Sequence, residues 1–348
     1  MRISFLETLL FIKHLSIMLK SGITLSEAVD IVASQTKSSA LKKVANSIAQ
    51  DIRNGQTLTK ALTKYPTIFN PLTISLIEVG EQSGNLDKNL LYLSEQLGKE
   101  YAFRKKLQGV LAYPVIVFIA AMTVGLGVSV FVLPKLLDLF AGFNIELPLA
   151  TKLLLGFANI MQHYGIFVLL GICIFLVLLR FFITASRTKP FFDRIALGLP
   201  LIGSILEKAQ LATFFRTFGI MIQSGLPITS ALEIEKKVTT NIVYQTYVEH
   251  LLTAVTKGMP LAKELEKKEY KRIPLIATKM IAVGEATGRL DETLLYLADF
   301  FEEEVDDATK TTSTLLEPIM LLVIGLIVAF VAMAIISPIY ELTGSIKK

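Results

Sequence analysis

The sequence predicts an all-α membrane protein with two tandem-repeat cytosolic helical-bundle domains, about six helices each, and three transmembrane helices. Three observations carry that reading. The chain is too apolar for an ordinary soluble protein, with 52% hydrophobic residues in 348 and a mean hydropathy of +0.57. Charges are missing from three long stretches, 108–134, 153–179 and 318–340. Finally, "VGEQSGNLDKNLLYL" from Val79 returns as "VGEATGRLDETLLYL" from Val283.

In chain order, residues 1–108 read as the first cytosolic domain. "FLETLLFIKHLSIML" from Phe5 has apolar residues at three- and four-residue spacing, which predicts an amphipathic helix. Glu7 and Lys13 break the apolar core that a secretory signal would need, and no small-residue cleavage site follows. Further helices are expected to begin near Leu25, Leu41, Leu58, Pro71 and Leu86, with turns at Ser21-Gly22, Asn54-Gly55 and Ser83-Gly84. No sustained two-residue alternation suggests a strand. The first transmembrane helix is placed at 109–135, an extracytoplasmic loop at 136–163 and the second span at 164–184. The second cytosolic domain follows at 185–313, the third span at 314–340 and a short extracytoplasmic tail at 341–348. Each span holds a core of at least about 20 apolar residues, enough to cross about 30 Å of hydrocarbon as a helix. Cys173 is the one cysteine and lies in the second stretch, so no intrachain disulfide can form.

The repeat extends beyond the opening match. "IMLKSGITLSEAV" from Ile17 pairs with "IMIQSGLPITSAL" from Ile220, and Asn54-Gly55 pairs with Lys257-Gly258. Pro114 pairs with Pro318 and Pro134 with Pro338, so each repeat includes a membrane helix with a proline near each end. Two direct repeats, each a soluble part followed by a span, keep their soluble parts on one side only if an odd number of extra crossings lies between them, and the unpaired second span supplies that crossing. Arg104, Lys105 and Lys106 precede the first span, and Arg180, Arg187 and Lys189 follow the second. The connecting loop holds only Lys135 and Lys152, balanced by Asp138 and Glu146. The positive-inside rule therefore puts both large domains in the cytosol of a multi-pass cytoplasmic-membrane protein. The net charge of +5 is concentrated in residues 1–108, whereas the second domain carries the acidic run "EEEVDD" from Glu302. With no aromatic–basic interleaving, the basic excess reads as a solvated face beside anionic membrane lipids, with no nucleic acid involved.

This ordered, duplicated set of motifs resembles the type II secretion F family, the inner-membrane platform proteins of type II secretion, type IV pilus and competence pseudopilus assembly. The residues that carry it are "MLKSGITL" and "MIQSGLPI", the two "VGE-x-[ST]-G-x-LD" motifs, "AYPVIV" and "LEPIML" at the start of two spans, and "LPLATKLL" in the outer loop. The resemblance covers the chain from about Leu9 to Thr343. It implies that the cytosolic domains engage a hexameric assembly ATPase and that the membrane helices receive pilin-like or pseudopilin subunits, without covalent chemistry. A homo-oligomer is also expected.

The repeated motif supplies the candidate site: Gly80, Glu81, Gly84 and Asp87, with Gly284, Glu285, Gly288 and Asp291. Gly84 and Gly288 suit a left-handed residue past a helix end, and Asp87 and Asp291 can cap the helix that follows. Glu81 and Glu285 are harder to place, because a carboxylate in a last turn faces the negative end of the helix dipole at a cost of about 0.3–1 kcal/mol. Compensation could come from an ion pair, from a partner, or from a metal held with Glu78 and Asp87. Lys13 aligns with Arg216, so the pairs Lys13–Glu81 and Arg216–Glu285 are expected; the competing reading turns both glutamates outward to the ATPase or to a second copy. In the membrane, Ala121 and Gly125 align with Gly325 and Ala329, a small-xxx-small spacing that lets helices approach closely.

The sequence has no G-x-x-x-x-G-K-[ST] loop, H-E-x-x-H, cysteine pair or G-x-S-x-G, and His14, His163 and His250 are scattered. No enzyme activity and no cofactor are expected. A three-span transporter is the natural competitor, but transport paths use intramembrane ionisable residues, and only Glu317 stands close to a span. A membrane adaptor with helical cytosolic domains fits the same topology. Transport assays separate the transporter from the platform, and co-purification with an ATPase separates the platform from the adaptor.

Overall fold

The computed structural model describes residues 3–110, scattered helical positions between 116 and 181, and residues 188–345 apart from Leu201 and Lys268. Among the described residues every regular element is a helix. The chain divides into two units: Met1–Lys106 with Pro190–Ala308, and Leu107–Lys189 with Thr309–Lys348. The helices before residue 107 and those of 190–308 thus share one compact unit.

The first repeat contributes α1 (Phe5–Lys20), α2 (Leu25–Gln35), α3 (Ser39–Arg53), α4 (Leu58–Thr63), α5 (Pro71–Ser83) and α6 (Leu86–Val110). Polar caps start the first five. Ser4 and Glu7 form a capping box on α1, and the side chains of Thr24, Ser38, Thr57 and Asn70 each accept an N–H from the first turn of the next helix. The second repeat contributes α8 (Ile202–Gln223), α9 (Ile228–Val238), α10 (Ile242–Thr256), α11 (Leu261–Leu265), α12 (Leu275–Thr287) and α13 (Leu290–Ser345). Here Pro227, Pro260 and Pro274 replace three of those caps, and none offers a side-chain bond. A proline presets the backbone angle of the turn but leaves the first N–H groups of the helix open. One helix, α7 (Lys189–Gly198), precedes the second repeat. It is tied in where Asp193 accepts the Ile242 N–H at 2.9 Å and Arg272 donates to the Leu197 carbonyl at 3.2 Å.

Each repeat has its own aromatic core, with Phe11 against Phe69 at 5.7 Å in the first and Phe215 against Phe301 at 5.7 Å in the second. The repeats then pack on each other, α5 against α8 and α9. Lys99 reaches Asp299 at 3.9 Å and, two turns further along both helices, Lys106 reaches Asp306 at 2.5 Å. Both pairs advance in the same direction, so α6 and α13 run parallel in this unit. A small cavity of about 30 Å³ in the seam is lined by Leu72, Gln96, Arg216, Ile220 and others. Beside it, burial pushes the Tyr92 phenol up to about 12.

Of the three apolar stretches, the third lies on α13, whose long apolar segment is suited to crossing a membrane and whose Leu321, Leu322 and Leu326 are exposed. The pair α7 and α8, bent by 111°, is together also long and apolar enough to cross a membrane. But α8 is the buried central helix of the compact unit, with Phe215 and Phe218 fully enclosed. Pro318 and Pro338 lie inside α13, which continues to Ser345, so these prolines do not end the helix. Gly325 and Ala329 are on the exposed surface of α13. Ala121, Gly125, Pro114, Pro134 and Cys173 lie outside the described residues, and the three-span count is not established by those that are described.

One buried acid holds α9 to α8. Glu235, 2% exposed, accepts hydroxyl bonds from Thr217 and, at 3.0 Å, from Thr239. Desolvation outweighs both bonds and raises its pKa from 4.5 to about 7. A folded-state pKa above the unfolded one means that the folded form binds the proton more tightly. The associated stability is fully present below about pH 4.5 and is lost as pH rises through about 7, by about 3 kcal/mol. Glu235→Gln should flatten that decline while keeping the acceptor for Thr217, as read by thermal melting of the purified chain between pH 5 and pH 8.

Candidate functional site

The repeated motif builds the same corner twice. At the end of α5 the Asn85 N–H donates to the Gly80 carbonyl at 3.0 Å and the Gly84 N–H to the Glu81 carbonyl at 3.3 Å, with Gly84 at φ 69°. At the end of α12 Arg289 donates to Gly284 at 2.9 Å and Gly288 to Glu285 at 3.4 Å, with Gly288 at φ 71°. Both are Schellman turns, which need a left-handed residue and so favour glycine. The first glycine of each motif has a different task. A Cβ on Gly80 would stand 3.0 Å from the Asn89 Cβ, and one on Gly284 would stand 2.8 Å from the Thr293 Cβ. These glycines let α6 and α13 return close against α5 and α12. Asn89 uses the proximity to donate to the Leu76 carbonyl at 3.2 Å.

Asp87 and Asp291 stand in the first turns of α6 and α13, where the helix dipole favours an acid. They are not the caps the sequence suggested, since the carbonyls of Asn85 and Arg289 accept the first helical bonds.

The two glutamates find an unexpected partner. Glu81 accepts the N–H groups of Leu58 at 2.5 Å and Thr59 at 2.9 Å, together with the Thr59 hydroxyl. Glu285 accepts the N–H groups of Leu261 at 2.7 Å and Ala262 at 3.0 Å. Each carboxylate leaves the negative end of its own helix and caps the positive end of the short helix before it, α4 or α11. Two orphan donors and an unfavourable charge are satisfied by one contact.

The expected charge pairs are therefore corrected. Lys13 is exposed, and the Glu81 carboxylate is directed to α4. Arg216 forks to two acids on α13, bonding Glu302 at 2.9 Å and 3.1 Å and also Asp299. Lys13 and Arg216 occupy equivalent positions on α1 and α8, and neither is the partner of its repeat's glutamate. The missed signal was the brevity of α4 and α11: helices of 6 and 5 residues cannot hold themselves, and Pro260 offers α11 no side-chain cap.

Comparison with known proteins finds the same duplication. The profile of the family described as "Type II secretion system (T2SS), protein F" matches residues 11–134 and 214–338. A protein named type IV pilus assembly protein PilC from Myxococcus xanthus is 31% identical across 98% of this chain and 81% of its own length. PilC from Thermus thermophilus is 31% identical across 97% of this chain and 83% of the relative. The type II secretion system protein F of Vibrio cholerae is 29% identical across 97% of this chain and 83% of its own.

Two stability measurements test the corner. Because Thr57 also caps α4 whereas Pro260 leaves α11 to Glu285 alone, Glu285→Ala should cost about 1.5–3 kcal/mol and Glu81→Ala visibly less; equal losses in denaturant melts would refute the difference. Gly284→Ala should destabilise more than Gly80→Ala, since its Cβ meets a β-branched neighbour at the shorter distance.

Proposed function

The chain belongs to the type II secretion system protein F family, and from that membership we propose that it is a non-enzymatic platform of the cytoplasmic membrane. It couples a cytosolic assembly ATPase to the insertion of pilin-like subunits into a type IV pilus, competence pseudopilus or type II secretion pseudopilus. One observation carries the reading: similarity spanning nearly the whole chain, in both repeats, to proteins named for type IV pilus assembly and type II secretion.

The structure gives this reading a physical form. The duplicated corner holds its carboxylates on backbone donors, an arrangement that fixes helix geometry and presents no reacting atom. The compact unit is the part suited to meet a soluble motor, and α13 carries both Asp291 of the motif and the apolar segment suited to lipid. In this reading the basic residues flanking the apolar stretches keep the compact unit cytosolic, and work done by the ATPase reaches the membrane helices as a change in packing.

Deleting the gene should abolish fibre assembly while leaving the pilin-like precursors made and processed, as read by electron microscopy and immunoblotting. Affinity capture from gently solubilised membranes should bring down an ATPase and a pilin-like protein. Normal fibres in the deletion strain would overturn the proposal.

A further inference from the structure

Equivalent surfaces of the two repeats have unequal fates. The α5 stripe is covered by the second repeat: Leu72 is 4% exposed and Leu76 1%. On α12 the equivalent of Leu72, Ile276, is 57% exposed, and beside it Leu275 and Val283 are exposed too. The residues that face the repeat's own core, Thr73 and Ile77 in one and Ala277 and Ile281 in the other, are buried in both, so only the docking stripe differs. The receiving surface shows the reverse. On α8, Ile220 is 2% exposed and Arg216 and Thr217 are buried, whereas their equivalents on α1, Ile17, Lys13 and His14, are exposed, Ile17 by 49%.

The in-chain contact is thus head-to-tail: a donor face of the first repeat covers a receiver face of the second. It leaves one receiver face, on α1, and one donor face, on α12, unused. An apolar stripe of this kind on a folded unit marks an interaction surface.

We propose that these faces meet between two copies of the chain, with α12 of one copy docking on α1 of the other as α5 docks on α8 within a chain. The occupant is a second copy because the chain itself displays the complementary pair. The direction agrees. Because α6 and α13 run parallel, a step from repeat to repeat about an axis along them keeps every copy pointing the same way, as copies in one membrane must. Such heterologous contacts close into a ring, two chains giving four repeats if each step is a quarter turn. The contact holds whichever machine the chain serves.

The test is a cross-link on the full chain in membranes, in a Cys173→Ser background. One tagged copy carries Ile17→Cys, a differently tagged copy carries Ile276→Cys, and the two are co-expressed and oxidised. A covalent product of twice the chain mass is expected from the mixture and not from either copy alone. Adding Leu275→Glu to the Ile276→Cys copy should lower its yield at least tenfold. Both cysteines replace exposed side chains, and unchanged melting would confirm that the fold is intact. No mixed product, a yield indifferent to Leu275→Glu, or cross-linking of the α12 cysteine only to a different protein would overturn the proposal.

Discussion

A carboxylate misplaced on its own helix organises each repeat. Glu81 and Glu285 sit where the helix dipole is hostile to them, and each is reconciled by reaching back to the bare N–H groups of α4 or α11. The glycines around each glutamate make that reach feasible. Gly84 and Gly288 turn the chain sharply, and Gly80 and Gly284 let the next helix return against the one just finished. In each repeat two short or medium helices, α4 with α5 and α11 with α12, are thereby locked around one corner, and the long helix that follows, α6 or α13, leaves it in a defined direction.

That direction decides how the repeats meet. With α6 and α13 parallel and bridged by Lys99–Asp299 and Lys106–Asp306, α5 is left to pack on α8 and α9. Arg216 is buried in the resulting seam and is held by two acids of its own repeat, so its charge is paired before the first repeat covers it. The equivalent positions on α1 have no such cover, and the unequal burial of equivalent surfaces follows from a head-to-tail arrangement rather than a symmetric one.

Much of the fold was legible in the sequence, because helical period, caps and turn glycines are local signals. The starts expected at Leu25, Leu58, Pro71 and Leu86 are the observed ones, and the duplication fixed the order of the second repeat from the first. α7 was not foreseen, since nothing in the first repeat corresponds to it. The roles of Glu81 and Glu285 were misassigned for a physical reason. A charge invites a search for the opposite charge, whereas the partner here is the backbone of a helix too short to be noticed as a dipole. The place of Asp87 and Asp291 in the first turn, not at the cap, is a shift of register that motif spacing alone does not resolve.

The carboxylate bond to α11 is the contact on which the rest depends, because among the described residues no other side chain caps that helix. Hydrogen exchange of the full chain in detergent measures it directly, through the amides of Leu261 and Ala262. If Glu285 holds them, both should exchange as slowly as amides in the interior of α12 and become fast in Glu285→Gln. Exchange at the rate of the exposed connection between α11 and α12 in the unaltered chain would contradict it.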